Sequence, residues 1–315
     1  MLLLGPLACR HESGTAGPRL SPVAQARKLT RAGRPAEAYE RFLDILESDP
    51  RDLSAHRGLV EAAYYAGCLS EVAGRYERMA ERESTAGLGA YGMGLVAMSR
   101  GPGFMQEALR HLSRAAEIMS GDAEPQYRMG LIHLLNGDNT IAKEFFEKAL
   151  AIDPDRAAIL VAYGSALMLL KRERKAIEVM SRILTLSPAV NEISKARTIA
   201  AKIFDPVRGC SPETAQDLKK VIDLLDKDYV QQALFEVDKT LVREPENALA
   251  NTLRGLAHSR LENNGEAIVS FEKALKKMPD APLALVGLGD VYARLEKWGN
   301  ARKNYEKAIL LNPFD

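Results

Sequence analysis

One pattern returns along this chain at a fixed interval, and it limits the possible folds more than any other feature. Ala38, Phe42 and Pro50 come back as Ala142, Phe146, Ala149 and Pro154. They come back again as Ala176, Met180, Ile183 and Pro188, then as Ala267, Phe271, Ala274 and Pro279, and finally as Ala301, Tyr305, Ala308 and Pro313. Upstream of these stand Gly130 with Gly137, Gly164, Gly255, and Gly289 with Tyr292. Neighbouring copies are 34 residues apart, as from Pro154 to Pro188 and from Pro279 to Pro313. Self-similarity of that length means a stack of small supersecondary units, each unable to hide its apolar face alone.

Each recurring residue has a physical task. Small residues at Gly130, Gly164, Gly255 and Gly289 on one helix, and at Ala142, Ala176, Ala267 and Ala301 on the next, allow two antiparallel helices to approach closely. The large residue four positions on (Phe42, Phe146, Phe271, Tyr305) fills the gap toward the following unit. Proline stops the second helix, since it lacks a donor and drives its predecessor out of helical geometry. Gly33, Gly67, Gly101 and Gly137 fall where the first helix turns into the second and a left-handed residue is needed. Strand-like alternation is absent, so the period points to an all-α chain.

With this motif and spacing the chain resembles the tetratricopeptide repeat family. The resemblance implies a right-handed superhelical α-solenoid of about eight helix pairs: residues 19–52, 53–86, 87–122, 123–156, 157–190, 214–247, 248–281 and 282–315. It is close in the fourth, fifth, seventh and eighth units. It is loose in the second and sixth, where Val72 and Val237 replace small or aromatic residues and Lys220-Val221 replaces Leu-Gly. Residues 1–18 read as a signal-like or disordered leader, 19–190 as a five-repeat block, and 214–315 as a three-repeat block. Residues 191–213 break the period. Ile193, Ala196, Ile199, Ala200 and Ile203 predict one extra amphipathic helix there, followed by a loop at Asp205-Pro206 and Gly209. A hinge and an in-line half-repeat both remain open for that segment.

No catalytic signature fits this frame. Gly87-Leu88-Gly89-Ala90-Tyr91-Gly92 spells a dinucleotide-loop motif, but such a loop needs a strand before it, and the preceding residues read as helix. The five histidines show no metal-ligand spacing, and the three cysteines form no disulfide framework. No enzyme, cofactor or metal site is expected. The 43 basic and 42 acidic residues balance to +1, which gives no argument for nucleic acid. No apolar run reaches the ~20 residues of a membrane-spanning helix.

The family resemblance also implies where ligands sit: on the concave face, at positions two, five, nine and twelve of each first helix. Those positions hold Leu88, Tyr91, Leu95 and Met98 in the third unit, Tyr127, Leu131 and Leu134 in the fourth, and Val161, Ser165 and Met168 in the fifth. This apolar stripe reads either as a groove for a partner's amphipathic helix or peptide, or as packing between first helices. The family's clamp for a chaperone's terminal carboxylate needs Lys, Asn and Arg there, and the middle units lack them. A protein-binding scaffold is therefore expected, with Tyr305, Ala308 and Ile309 of the last helix available to a partner or a second copy.

The first residues suggest a location. Leu2 to Ala8 is an apolar run ending at Cys9, similar to the back half of a bacterial lipoprotein signal whose cysteine is lipidated. It departs from that pattern in lacking a basic start and in placing Pro6 and Leu7 just before Ala-Cys, and a start placed too far downstream would account for its shortness. A lipid-anchored, periplasm-facing envelope protein, similar to assembly factors for pili or secretion machinery, follows from that reading. The alternative is a soluble cytoplasmic adaptor or co-chaperone.

Overall fold

The computed structural model describes residues 20–186 and 190–314. Cys9 and its apolar run, and Pro188, lie outside the described residues. Seventeen α-helices and no strands are present among the described residues. The fold is an all-α solenoid of tetratricopeptide helix pairs. Two compact units divide the chain, one reaching to Met129 and the other starting at Gly130.

The N-terminal unit contains α1 (Pro22–Arg31), α2 (Pro35–Ser48), α3 (Leu53–Ala66), α4 (Leu69–Ala80), α5 (Ala86–Ser99) and α6 (Met105–Ile118). It also takes in the first residues of α7 (Ala123–Leu135). Ser21 caps α1 through Ala24 N–H, with Pro22 at the first helical position. Asp52 caps α3 by accepting from Ser54 and Ala55 N–H at 2.8 and 2.9 Å. First helices lie in a row, α1 on α3 and α3 on α5, and the second helices back them.

The second unit continues with α8 (Asn139–Ile152), α9 (Ala157–Leu169), α10 (Glu173–Ser181), α11 (Val190–Ile203), α12 (Pro212–Asp226) and α13 (Val230–Arg243). It ends with α14 (Ala248–Arg260), α15 (Asn264–Lys277), α16 (Pro282–Arg294) and α17 (Trp298–Leu311). The extra helix is α11, which starts three residues before Ile193, the first residue of the predicted apolar stripe, and ends at Ile203, its last. Ala196 and Ala200 form its buried side, and it rests mainly on α9. That is the contact a first helix makes with the first helix before it, as α14 does with α16.

The recurring large residue does what its spacing predicts. Phe42, Phe146 and Phe271 are wholly buried. A Cβ built on Gly255 would fall 2.7 Å from the Phe271 ring, and one on Gly287 of the next pair 2.4 Å from it. One ring thus fills a notch in its own first helix and another in the following one. The second pair, loosely matched in sequence, uses Tyr76 in the same place against Gly92. Five of the second helices end alike: Asp49, Asp153, Glu244, Met278 and Asn312 share φ from −135° to −128° and ψ from 72° to 88°, and proline follows each.

The turn inside each pair passes through a residue of positive φ. Gly33, Gly67, Gly101 and Gly137 have φ of 74°, 77°, 106° and 83°. In the later pairs the same position is left-handed without glycine, at Lys171, Asp228, Glu262 and Glu296. Except after Gly101, where Pro102 has no N–H, the next residue then donates back five positions, as from Asp138 N to His133 O at 2.9 Å and Arg172 N to Leu167 O at 2.8 Å.

The glycine run that imitates a nucleotide loop lies inside α5 and serves packing. A Cβ on Gly89 would sit 2.2 Å from Ala80 N and 2.6 Å from Ala80 Cα, so backbone meets backbone there. Gly89→Ala is expected to lower the unfolding free energy by about 1–3 kcal/mol, the usual cost of overpacking. Gly103→Ala, with nothing within 4 Å, is expected to change it by less than about 0.5 kcal/mol. Urea titration of the three proteins measures the difference.

Candidate functional site

The row of first helices in the N-terminal unit carries the site, and its floor is polar. Glu124, in the first turn of α7, is almost fully buried. Its Oε1 accepts from Arg128 Nε at 2.7 Å, one helical turn on, and from the Tyr91 hydroxyl at 3.2 Å. Arg128 Nη2 lies 2.6 Å from the same oxygen, and Arg57 Nη1 of α3 lies 3.9 Å from it. Burial works against the Arg128 charge, but Glu124 and the Tyr91 oxygen outweigh it and raise its pKa. Burial, reinforced by Glu124, pushes the Tyr91 phenol well above its ordinary range, so it stays a donor.

Arg27 of α1 extends the cluster. Its Nη2 donates to Ser54 O at 3.2 Å and to Ser54 Oγ at 2.8 Å, and it has no carboxylate within ion-pair distance among the described residues. Burial lowers its pKa, and after burial the nearness of Arg57 counts most. Arg128 and Arg31 push the same way, and Glu61 alone opposes them. Three arginines from three helix pairs thus converge on one face, with Arg31 behind them. Glu61 and Glu124 supply the opposing charge, and Glu124 is already engaged.

The rim of this face is aromatic. Arg57, Glu61 and Tyr64 follow one another at helical spacing along α3, on one stripe. Tyr64 is 52% exposed and Tyr65 64%, and their rings meet edge to face at 5.3 Å between centroids.

The side chains predicted to line a groove divide between the units. Leu88, Tyr91, Leu95, Met98 and Tyr127 belong to the first, and Leu131, Leu134, Val161 and Met168 to the second. Leu88, Met98, Tyr127, Leu131, Leu134 and Met168 are half-buried. Tyr91, Leu95 and Val161 are buried, which corrects their expected place on an open surface. For Tyr91 the reason is its bond to Glu124, which draws the phenol into the polar floor. Of the last-helix residues, Ala308 is buried, Tyr305 half-buried with its hydroxyl donating to Asp290 at 2.6 Å, and Ile309 exposed.

The expected groove, placed at the ligand positions of the third to fifth units, leaves out the arginines and the Tyr64–Tyr65 pair. The same positions hold Arg27 in the first unit and Arg57, Glu61 and Tyr64 in the second. The signal was present in the repeat frame. Other candidate side chains are structural. His56 joins Tyr76 OH and Pro50 O at 2.9 Å each, and burial lowers its pKa. His133 stacks on Phe145. Cys68 and Cys210 are free thiols. In the second unit a cleft lined by Lys143, Glu147, Tyr163 and Arg172 is closed on itself, with Glu147 accepting from Tyr163 and Lys143 at 2.7 Å each.

Two family profiles match the chain: a tetratricopeptide repeat over residues 133–203, and the Psidin N-terminal TPR repeats region over 216–314. The chain is a tetratricopeptide repeat protein. Both matches fall in the second unit, and the first shows the same hairpins, ring-into-notch packing and left-handed turns. No curated protein matches this tetratricopeptide chain. Similar solved structures include the APC/C hetero-tetramer Cut9–Hcn1, at 14% identity over 93% of this chain and 53% of that one, with a TM-score of 0.40. Another is YrrB, titled a TPR protein with an unusual peptide-binding site, at 18% identity over 64% and 92%, TM-score 0.30. A third is the TPR2AB domain of yeast Sti1 in complex with pHSP90, at 18% over 92% and 89%, TM-score 0.30. The chain spans about half the length of the Cut9–Hcn1 chain that it matches. No helix among the described residues is long and apolar enough to cross a membrane.

Glu124 holds this tetratricopeptide face together electrostatically. Glu124→Ala would leave Arg128 buried beside Arg57 without its carboxylate. Loss of one member of a buried ion pair costs about 3–5 kcal/mol, so a comparable drop in unfolding free energy is expected from chemical denaturation. Glu61→Ala, on an exposed residue of the same face, is expected to change it little.

Proposed function

We propose that this chain is a non-catalytic scaffold that holds other proteins, and that its N-terminal unit docks a partner segment along the row of first helices. The observation that carries this reading is the α3 stripe, where Arg57 lies below two exposed tyrosines. Tyrosine and arginine are the side chains most over-represented where proteins grip one another, because each gives large contact area together with a polar tip. Both tyrosines are left to solvent although the helix packs on α1, α2, α4 and α5. The half-buried Leu88, Met98 and Tyr127 on neighbouring first helices extend an apolar path beside them. Behind that path the buried polar groups are committed to one another, which supports a rigid platform rather than a reacting centre.

The test uses exposed residues, so that the fold survives. Tyr64→Ala combined with Tyr65→Ala is expected to lose most of the proteins that the wild-type chain captures from its native extract, at unchanged melting temperature. Recovery of the same set by both proteins would remove this face from the docking role.

The run from Leu2 to Cys9 supports a finer placement at a bacterial envelope, held by lipid on Cys9 and serving assembly of a pilus or secretion apparatus. A soluble adaptor or co-chaperone is the competing placement. Mass spectrometry of protein extracted from its own cells separates them. Acylated Cys9 as the first residue is expected for the anchored form, and an unmodified Cys9 within a longer chain overturns it.

A further inference from the structure

We infer that the Arg27–Arg57 corner of the N-terminal unit takes carboxylate side chains of an acidic peptide segment, a reading that rests on the docking role proposed above. The first support is the set of charges that act most directly on Arg27 and its neighbours on that face. Arg27, Arg57 and Arg128 point into it from α1, α3 and α7, with Arg31 beside them, against Glu61 and Glu124. Glu124 spends its Oε1 on Arg128 and Tyr91, with Arg57 at the edge of ion-pair range. Arg27 and Arg57 are therefore short of negative charge, and each is only partly exposed. Cations left so in a folded chain lower their energy when an anion arrives.

The second support is the wall next to them. A cavity beside Arg27 and Arg31 is lined by Ser21, Ser54, Asp49 and Asp52. The two aspartates are committed to backbone: Asp52 Oδ1 accepts from Ser54 and Ala55 N–H, and Asp49 Oδ1 from Arg51 N–H at 3.1 Å. Ion pairs from either aspartate to Arg27 or Arg31 are absent among the described residues, and the charges that act most on Arg27 are Arg57, Glu61, Arg128 and Arg31 rather than these two.

Spacing then favours side chains over a single terminal carboxylate. Arg27 reaches from α1 to Ser54 of α3, three residues before Arg57 on that helix, so the two arginines are anchored about one helical turn, ~5 Å, apart along α3. A segment crossing them in extended form presents same-side residues about 6.6–7 Å apart, two positions along its chain. Two acidic residues separated by one other can then meet one arginine each. Guanidinium groups suit this use because they match carboxylates in two-point fashion and are weakly hydrated. An apolar or aromatic residue next to the acidic pair would lie over Tyr64 and Tyr65.

Selection from a library of random short peptides with both ends blocked tests this on the full chain. Wild type is expected to enrich peptides carrying acidic residues two apart, with affinity that falls as salt rises. Arg27→Gln and Arg57→Gln are each expected to weaken the selected acidic peptides by about tenfold or more, in keeping with loss of a close charge pair. Arg27→Lys restores part of the affinity if charge is what matters, which a purely structural role for Arg27 would not produce. Selected peptides of neutral composition, or acidic ones held equally by Arg27→Gln, overturn the acidic assignment and leave the docking role standing. Failure to select any peptide on wild type overturns both.

Discussion

A large side chain on each second helix, pushed into notches that glycine leaves in two first helices, is the contact on which the rest of this molecule depends. Phe271 between Gly255 and Gly287 shows it most fully, with Cβ positions at either glycine lying under 3 Å from the ring. Phe42 over Gly58 and Tyr76 over Gly92 show the half that joins one hairpin to the next. The energy of such a contact comes from removing a whole aromatic face from water at interior packing density. Its geometry comes from the missing methyl groups, which set how closely two helix axes approach. Hairpins that share this contact must lean on their successors in nearly the same way, and a row of first helices follows from that.

The turns give a second, weaker constraint, and their variation is informative. Four early pairs use glycine in the left-handed position, whereas Lys171, Asp228, Glu262 and Glu296 hold the same conformation at φ near 60°. A non-glycine residue there gives up roughly 1–2 kcal/mol. The later hairpins keep the turn anyway, because the donor after it still closes on the carbonyl five residues back and the helices on each side are already fixed by packing. Packing outranks local preference in this chain.

The difference explains what could be read from sequence. Helix pairs, the stopping prolines, the glycine turns and the extra helix near 191–203 were all legible, because each depends on neighbours in the chain or on the repeat interval. The second pair was underrated: Val72 stood where a small residue was sought, and Tyr76 four positions later went unread as the aromatic that fills the notch. Burial of Tyr91 was not legible. Spacing put it on the ligand face, and only the arrival of Glu124 from the first turn of α7 draws its hydroxyl inward. Leu95 and Val161 are buried for the simpler reason that first helices pack on one another as well as facing outward.

The arginine face illustrates why charge is harder to read than shape in a repeat protein. Across the whole chain, 43 basic and 42 acidic residues nearly cancel, so composition gives no sign of a cationic surface. Yet stacking brings position nine of one hairpin, position five of the next and position six of the fourth to the same place. Arg27, Arg57 and Arg128 are about thirty to a hundred residues apart from one another in sequence and share one electrostatic neighbourhood in space. Arg128 is tolerated there because Glu124, one turn away on the same helix, travels with it. Arg27 has only Ser54 to bind. A hydroxyl and a carbonyl satisfy its hydrogen bonds without cancelling its charge, so the repeat that builds the surface also leaves one arginine with Glu61 to oppose three like charges.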